Sequence, residues 1–176
     1  MYYHLTLIAN LYVPNSGQKL SRLQYRMKWD RDLLSYMQNI EKQRDVPLVC
    51  LGDLNVAHKR LDVYNDGANH LIKQAGCTPE EKDSFSNILK TGYIDALREL
   101  QPKSEGQYTY WSQRTFARKP NRGLRLDYFV CSANLFKQNE GSVHVRDTYI
   151  LPDQVGSDHC PIVLELELQS NYKGLQ

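Results

Sequence analysis

The sequence predicts a mixed α/β domain, with helices packed on a sheet. Three observations carry that prediction. Short apolar runs rich in β-formers end in turn residues. Between them lie segments whose apolar positions recur at spacings of three and four. The two kinds of segment interleave along the chain, and such elements pack as layers around one core. At 176 residues one core suffices, and two would be cramped.

In chain order, Tyr2–Val13 reads as a buried strand, broken by the turn Pro14-Asn15-Ser16-Gly17. Arg22–Arg44 reads as a helix, with Trp29, Leu33, Met37 and Ile40 on its apolar stripe and Ser21 as its cap. Val46–Leu51 is too short for a helix and reads as a central strand ending at Gly52. A polar loop is expected over Ala57–Asn69. Thr78-Pro79-Glu80-Glu81 offers a cap, a proline at the first helical position and acids in the first turn. It opens a helix to about Lys90, closed by Gly92. Gln107–Trp111 and Leu126–Cys131 look like strands flanking a basic loop. Val143–Ile150 and Ile162–Leu168 follow as strands, the second alternating apolar residues with Glu. The order is β-α-β-α-β-β-β-β. Because the chain enters a core strand almost at once, one face of the sheet is expected to lack cover.

Composition excludes some classes of protein. Hydrophobic residues at 41% and charged residues at 24% are ordinary for a globular domain. No stretch approaches the roughly 18 apolar residues of a membrane helix, so no membrane partner is expected. Met1–Pro14 has neither a basic leader nor a cleavage site, which predicts no secretory signal. The four cysteines form no CxxC pair, and three lie in apolar runs. They read as buried free thiols in a reducing, intracellular compartment. A net charge of +2 does not identify a nucleic-acid partner. Its distribution says more, since Arg114, Arg118, Lys119, Arg122 and Arg125 share a stretch without a single acid.

Four motifs put polar groups at strand ends, where ligands bind in α/β sheets. In Tyr12-Val13-Pro14-Asn15, a phenol and an amide flank a rigid proline, and both can donate to a phosphate oxygen. In Gly52-Asp53-Leu54-Asn55, a carboxylate and an amide two apart project to one side of an extended backbone. In Arg125-Leu126-Asp127-Tyr128, the Asp enters an apolar strand and needs a partner. In Gly156–Pro161, Asp158-His159 supplies one, with an imidazole suited to acid-base or transition-state work. Alone, each motif is also an ordinary turn or salt bridge. Together they form a phosphodiesterase-like set. No GxSxG elbow is present, so a serine hydrolase fits poorly.

These residues resemble a known family. Tyr12–Asn15, Gly52–His58, Tyr108–Ser112 with Ala117–Phe129, and Gly156–Ile162 are similar to the exonuclease III family. That is the abasic-site endonuclease branch of the endonuclease/exonuclease/phosphatase superfamily. Gly52–Asn55 and Ser157–His159 occur across the superfamily, and Ala117–Phe129 narrows the resemblance to DNA repair. The resemblance runs from about Leu7 to Leu168. It implies a portion of a four-layered α/β sandwich lacking its N-terminal strands. Residues 1–169 would then be a partial domain and 170–176 a polar tail. It implies an AP endonuclease of base excision repair with 3′-exonuclease or phosphodiesterase activity. Such an enzyme hydrolyses the DNA phosphodiester 5′ to an abasic site with Mg²⁺ or Mn²⁺. Its partner is double-stranded DNA with abasic sites or 3′ ends, in the nucleus of a eukaryote or the cytoplasm otherwise.

The resemblance also implies roles. Asp53 would deprotonate the attacking water, and Asn55 would hold the scissile phosphate. His159 with Asp127 would stabilise the pentacoordinate phosphate, which Tyr12 and Asn15 would contact. Asp158 would lie near the metal, and Asn69 would touch backbone phosphate. Tyr110, Leu124 and Leu126 would wall a pocket for the flipped-out sugar, with Arg118 and Arg125 nearby. Leu124 stands where many relatives have Trp. Gln18 and Arg114 stand where some relatives wedge side chains into DNA. The family's principal metal ligand belongs to an N-terminal half without counterpart here, so that half or self-association is an expected partner. The alternatives are an inactive remnant or interaction module of the same fold, or another phosphodiesterase or phosphatase.

Overall fold

The computed structural model describes residues 6–137 and 142–168. Strand β1, Leu7–Tyr12, leads through a turn to helix α1, Leu23–Arg44. Strand β2, Leu48–Asp53, follows, then a long loop and helix α2, Pro79–Lys90. Strand β3, Tyr93–Asp95, runs directly into helix α3, Ala96–Leu100. Strands β4, Asp127–Ser132, β5, Val143–Ile150, and β6, Ile162–Leu168, complete the order. The first residues of the expected N-terminal strand and the polar tail lie outside the described residues.

Four strands form one sheet in the order β1-β2-β4-β3. β1 runs parallel to β2, and β4 is antiparallel to β2 and β3. Alternation along each strand decides which layer it meets. Leu48 and Cys50 of β2 and Tyr128 and Val130 of β4 join Met37 of α1 with Phe85 and Ile88 of α2. The residues between them, Val49, Phe129 and Cys131, join Ala96 of α3, Leu135 and Val145 of β5. The face expected to lack cover is therefore covered in part, by the β5–β6 hairpin. At the β1 edge Ile8 is 66% exposed and Tyr12 76%.

The elements form for local reasons that match the sequence reading, with corrections. In α2, Thr78 and Glu81 make a reciprocal capping box and Pro79 takes the first turn. In α1, Arg22 stands at the N-cap with no side-chain bond, and Ser21 instead ends a short 3-10 turn over Gln18–Leu20. Gln107–Trp111 is not a strand. Tyr110 makes single bridges to Leu124 and His159, because that segment must serve two partners at once. The loop Ala57–Asn69 is polar in composition yet partly buried, with Ala57, His58, Asp62 and Val63 inside. All four cysteines are buried and free. Burial pushes the thiols of Cys50 and Cys131 up to about 12, which removes them as nucleophiles. Among the described residues no helix is long and apolar enough to cross a membrane.

His58 makes the fold acid-sensitive. Its ring stands edge-on to Phe85 at 4.9 Å, and its Nε2 bonds the Ser86 hydroxyl at 2.7 Å. Burial, helped by Lys59, lowers its pKa from 6.5 to about 4. The folded value is below the unfolded one, so its contribution is complete above pH 6.5 and fades toward pH 4. About 3 kcal/mol should be lost across that window. Urea midpoints at the two ends should show it, and His58→Gln should flatten the profile. An unchanged slope in the variant would assign the effect elsewhere.

Candidate active site

Strand register assembles the site. Tyr12 pairs with Asp53 across β1–β2, and Asp53 pairs with Asp127 across β2–β4. One phenol and two carboxylates thus form a row across three adjacent strands at one end of the sheet. Gly52 permits the approach. Its φ is +121°, and a β-carbon there would lie 2.2 Å from the Leu11 carbonyl oxygen.

Beyond Asp53 the chain turns through Asn55, whose φ of 47° is a left-handed conformation that Asn tolerates. Asp53 accepts from the Asn55 backbone N–H at 2.8 Å and from its amide at 3.1 Å. The same amide donates to the Val13 carbonyl at 2.8 Å, and its oxygen accepts from Asn15 at 2.9 Å. Burial raises the Asp53 pKa and Asp127 adds to it, while the Asn55 N–H, His159 and Arg26 pull against it.

His159 stands beside this row. Its Nδ1 bonds Asp127 Oδ2 at 2.7 Å, the pairing expected from the sequence. Burial opposes the imidazolium, but the hydrogen bond and charge of Asp127, with Asp53 and Asp158, outweigh it and raise the pKa. The ring of Tyr110 lies 5.1 Å away. The backbone of Trp111 donates to Asp158 and that of Cys160 to Thr109, which docks the His159 segment on the Tyr108–Trp111 segment.

The other expected site residues divide. Tyr110 and Leu124 line a cavity of about 450 Å³ with Tyr64, His70 and Gln74. Leu126 instead lies inside a buried cluster with Ala57, Val63 and Cys77. Asn69 is exposed on the preceding loop, and its neighbour His70 reaches the cavity. Arg125 is a correction. It is 1% exposed, its guanidinium is held between Asp62 and Asp95, and it faces the Tyr128 ring at 4.1 Å. Arg118 is a second. It donates to the carbonyls of Pro152, Gln154 and Ser157 and stacks on Trp111 at 4.7 Å, so it anchors the loop leading to His159.

Two residues with a part in the site went unpredicted. Arg26, 2% exposed, donates to the carbonyls of Pro14, Leu54 and Asn55 and to Asp30, clamping the loops after β1 and β2 to α1. The signal was available, since Arg26 and Asp30 share the helical stripe of Trp29, Leu33 and Met37. Thr109 is fully buried, and its hydroxyl accepts from the backbone N–H of Leu126 and of Asp127.

The fit for a divalent cation is incomplete. Among the described residues no three His, Cys, Asp or Glu side chains converge as a cage. Asp53 is occupied by Asn55, and Asp127 by His159. Asp158 remains as one carboxylate. Mg²⁺ takes near-octahedral oxygen coordination, and a single carboxylate is a weak holdfast for it. These residues alone do not fit the ion.

Residues 4–159 match the endonuclease/exonuclease/phosphatase family, and the chain belongs to it. Its relatives include exodeoxyribonucleases and AP endonucleases. It is 39% identical over 161 residues to the exodeoxyribonuclease of Bacillus subtilis, covering 92% of this chain and 60% of that one. It is 42% identical over 159 residues to the DNA repair nuclease APEX1 of Danio rerio, covering 90% and 48%. The crystal structure of an AP endonuclease from Leishmania major superposes with a TM-score of 0.81 at 35% identity, over 89% of this chain and 49% of that one. The chain thus spans about half the length of these relatives.

Proposed function

We propose that this chain carries the phosphate-attacking half of a DNA-repair nuclease that incises 5′ to abasic sites and trims 3′ ends. The observation that carries the reading is the row Tyr12–Asp53–Asp127 with His159 bonded to Asp127. The names of the relatives support DNA as the substrate. Asp53 takes a proton from water as the water oxygen attacks phosphorus. The bond from phosphorus to the 3′ oxygen of the preceding nucleotide breaks, the phosphate stays on the abasic sugar, and the departing 3′ oxygen takes a proton from solvent water to become a hydroxyl. The imidazolium of His159, oriented by Asp127, faces the charge growing on the phosphate. Tyr12, Asn15 and Asn55 donate to its oxygens. For Asn55 this exchanges its longer bond, that to Asp53 at 3.1 Å. Asn69, Tyr110 and Leu124 serve the DNA backbone and the sugar.

The family is generally dependent on divalent metal, and Mg²⁺ or Mn²⁺ is the cofactor of this reading. Asp158 would hold it by one carboxylate, and the remaining ligands would have to come from outside the described residues, from a further segment or a second copy. Free buried thiols suit an intracellular setting beside the genome.

The experiment is incision of a duplex oligonucleotide with one central abasic site, with Mg²⁺ and with EDTA. Mg²⁺-dependent cutting is expected of the form with a complete metal site, and Asp53→Asn should slow it about 10²-fold or more. Equal cutting by the variant would overturn the assignment of the base. A folded chain that binds this DNA but never cuts, alone or with a relative's N-terminal half added, would favour the inactive reading.

A further inference from the structure

Phe116 is the most exposed large apolar side chain among the described residues, at 86%. Its backbone is also unusual. At φ 50° and ψ 39° it is left-handed, at the end of a short 3-10 turn over Gln113–Thr115. A β-carbon strains that conformation, and Gly or Asn is its ordinary occupant. A bulky ring, neither buried nor relaxed, contributes nothing evident to the fold. Conflicts of this kind gather at functional positions.

The surroundings say what the ring could meet. Phe116 lines an open cavity of about 410 Å³ with Trp111, Gln113, Ala117, Lys119 and Asp158. That is within the range of ligand clefts, roughly 300–1,000 Å³. Its lining is mainly apolar, and Asp158 connects it to the candidate active site. Exposed Lys119 shares this cavity with the ring, and exposed Arg114 lies two residues before it in a stretch of sequence without acids. An exposed aromatic face with cations close by in the chain suits a nucleic-acid strand, with a base on the ring and phosphates on the cations. A duplex hides its bases in the stack, so the ring can meet only an unpaired one.

We infer that Phe116 and this cavity form a stacking subsite for an unpaired nucleobase beside the cleaved phosphate. The inference rests on the DNA reading above and deepens it, because it favours frayed or single-stranded ends over intact duplex. Nothing in the reaction depends on Phe116, so its role is separable from the chemistry.

The test is binding in EDTA, which prevents cleavage, to two fluorescein-labelled DNAs. One is a blunt duplex, and the other carries a single-stranded 3′ overhang containing 2-aminopurine. Phe116→Ala should weaken overhang binding about tenfold, within the range for losing one stacked base, and leave the blunt duplex unchanged. It should abolish 2-aminopurine quenching and leave the salt dependence unaltered. Phe116→Trp should keep both affinity and quenching. Lys119→Ala should weaken both DNAs alike and lower the salt slope by about one. Equal loss on both DNAs in Phe116→Ala, or no loss on either, overturns the subsite while leaving the DNA reading intact. A change in sedimentation mass without a change in DNA binding also overturns it, assigning the ring to a protein contact. Failure of the wild type to bind either DNA overturns both readings, since the ring then has no strand to receive.

Discussion

Arg125→Ala is expected to destabilise the fold by about 3–5 kcal/mol, the usual cost of removing one partner from a buried ion pair. Arg125 is 1% exposed, Asp62 fully buried and Asp95 5% exposed. Its Nε reaches Asp62 at 2.8 Å and its Nη1 reaches Asp95 at 2.9 Å, so one guanidinium serves two carboxylates. Without it, Asp62 keeps only Arg98 as a cationic partner, and Asp95 keeps none among the described residues. Asp62 is itself informative. Burial would raise its pKa, yet Arg125 and Arg98 hold it below the ordinary value. A Tm loss of roughly 10 °C follows for a chain of this size. Arg60→Ala removes an exposed pair with Glu105 and should change stability by no more than about 0.5 kcal/mol. If Arg125→Ala keeps its Tm and instead loses DNA binding, the expectation of a substrate contact is right and the buried-cluster account is wrong.

That misplacement shows where sequence reading stops. The basic stretch Arg114–Arg125 announces charge but not which arginine turns inward. The choice depends on Asp62, 63 residues away, and on Asp95, 30 residues away. Neither distance leaves a local signal. The same limit explains β3 and α3. Tyr93–Asp95 is too short for a pattern, and it becomes a strand only because Ser132, Cys131 and Val130 lie beside it. By contrast β5, β6 and α2 were legible to the residue or nearly so. Their information is local, in alternation, in the capping box and in the closing glycine.

The candidate site was legible in its chemistry more than in its supports. Carboxylates, amides and an imidazole at strand ends declare themselves by type, and Asp127 with His159 meets as expected. The groups that hold them act through backbone atoms and carry no motif. Arg26 binds three carbonyls and the Thr109 hydroxyl takes two N–H groups, contacts that residue identity alone does not foretell.

In the form with a complete metal site, His159→Ala should lower the proposed incision by about 10²–10³-fold, the usual worth of one group preorganised to meet charge growing in the transition state. The side chain is 28% exposed, so the fold should tolerate the loss and Tm should hardly move. The informative comparison is with Asp127. If Asp127 acts only through the 2.7 Å bond to Nδ1, its removal costs activity only while His159 is present. Asp127→Ala should then slow the proposed incision, but the double variant should be no slower than His159→Ala alone. Asp127→Asn should fall between, because its amide oxygen can still accept from Nδ1–H while the charge is lost. Multiplying losses in the double variant would mean that Asp127 meets the substrate itself. The row of carboxylates on the sheet would then hold two independent groups, and His159 would need another explanation for its orientation.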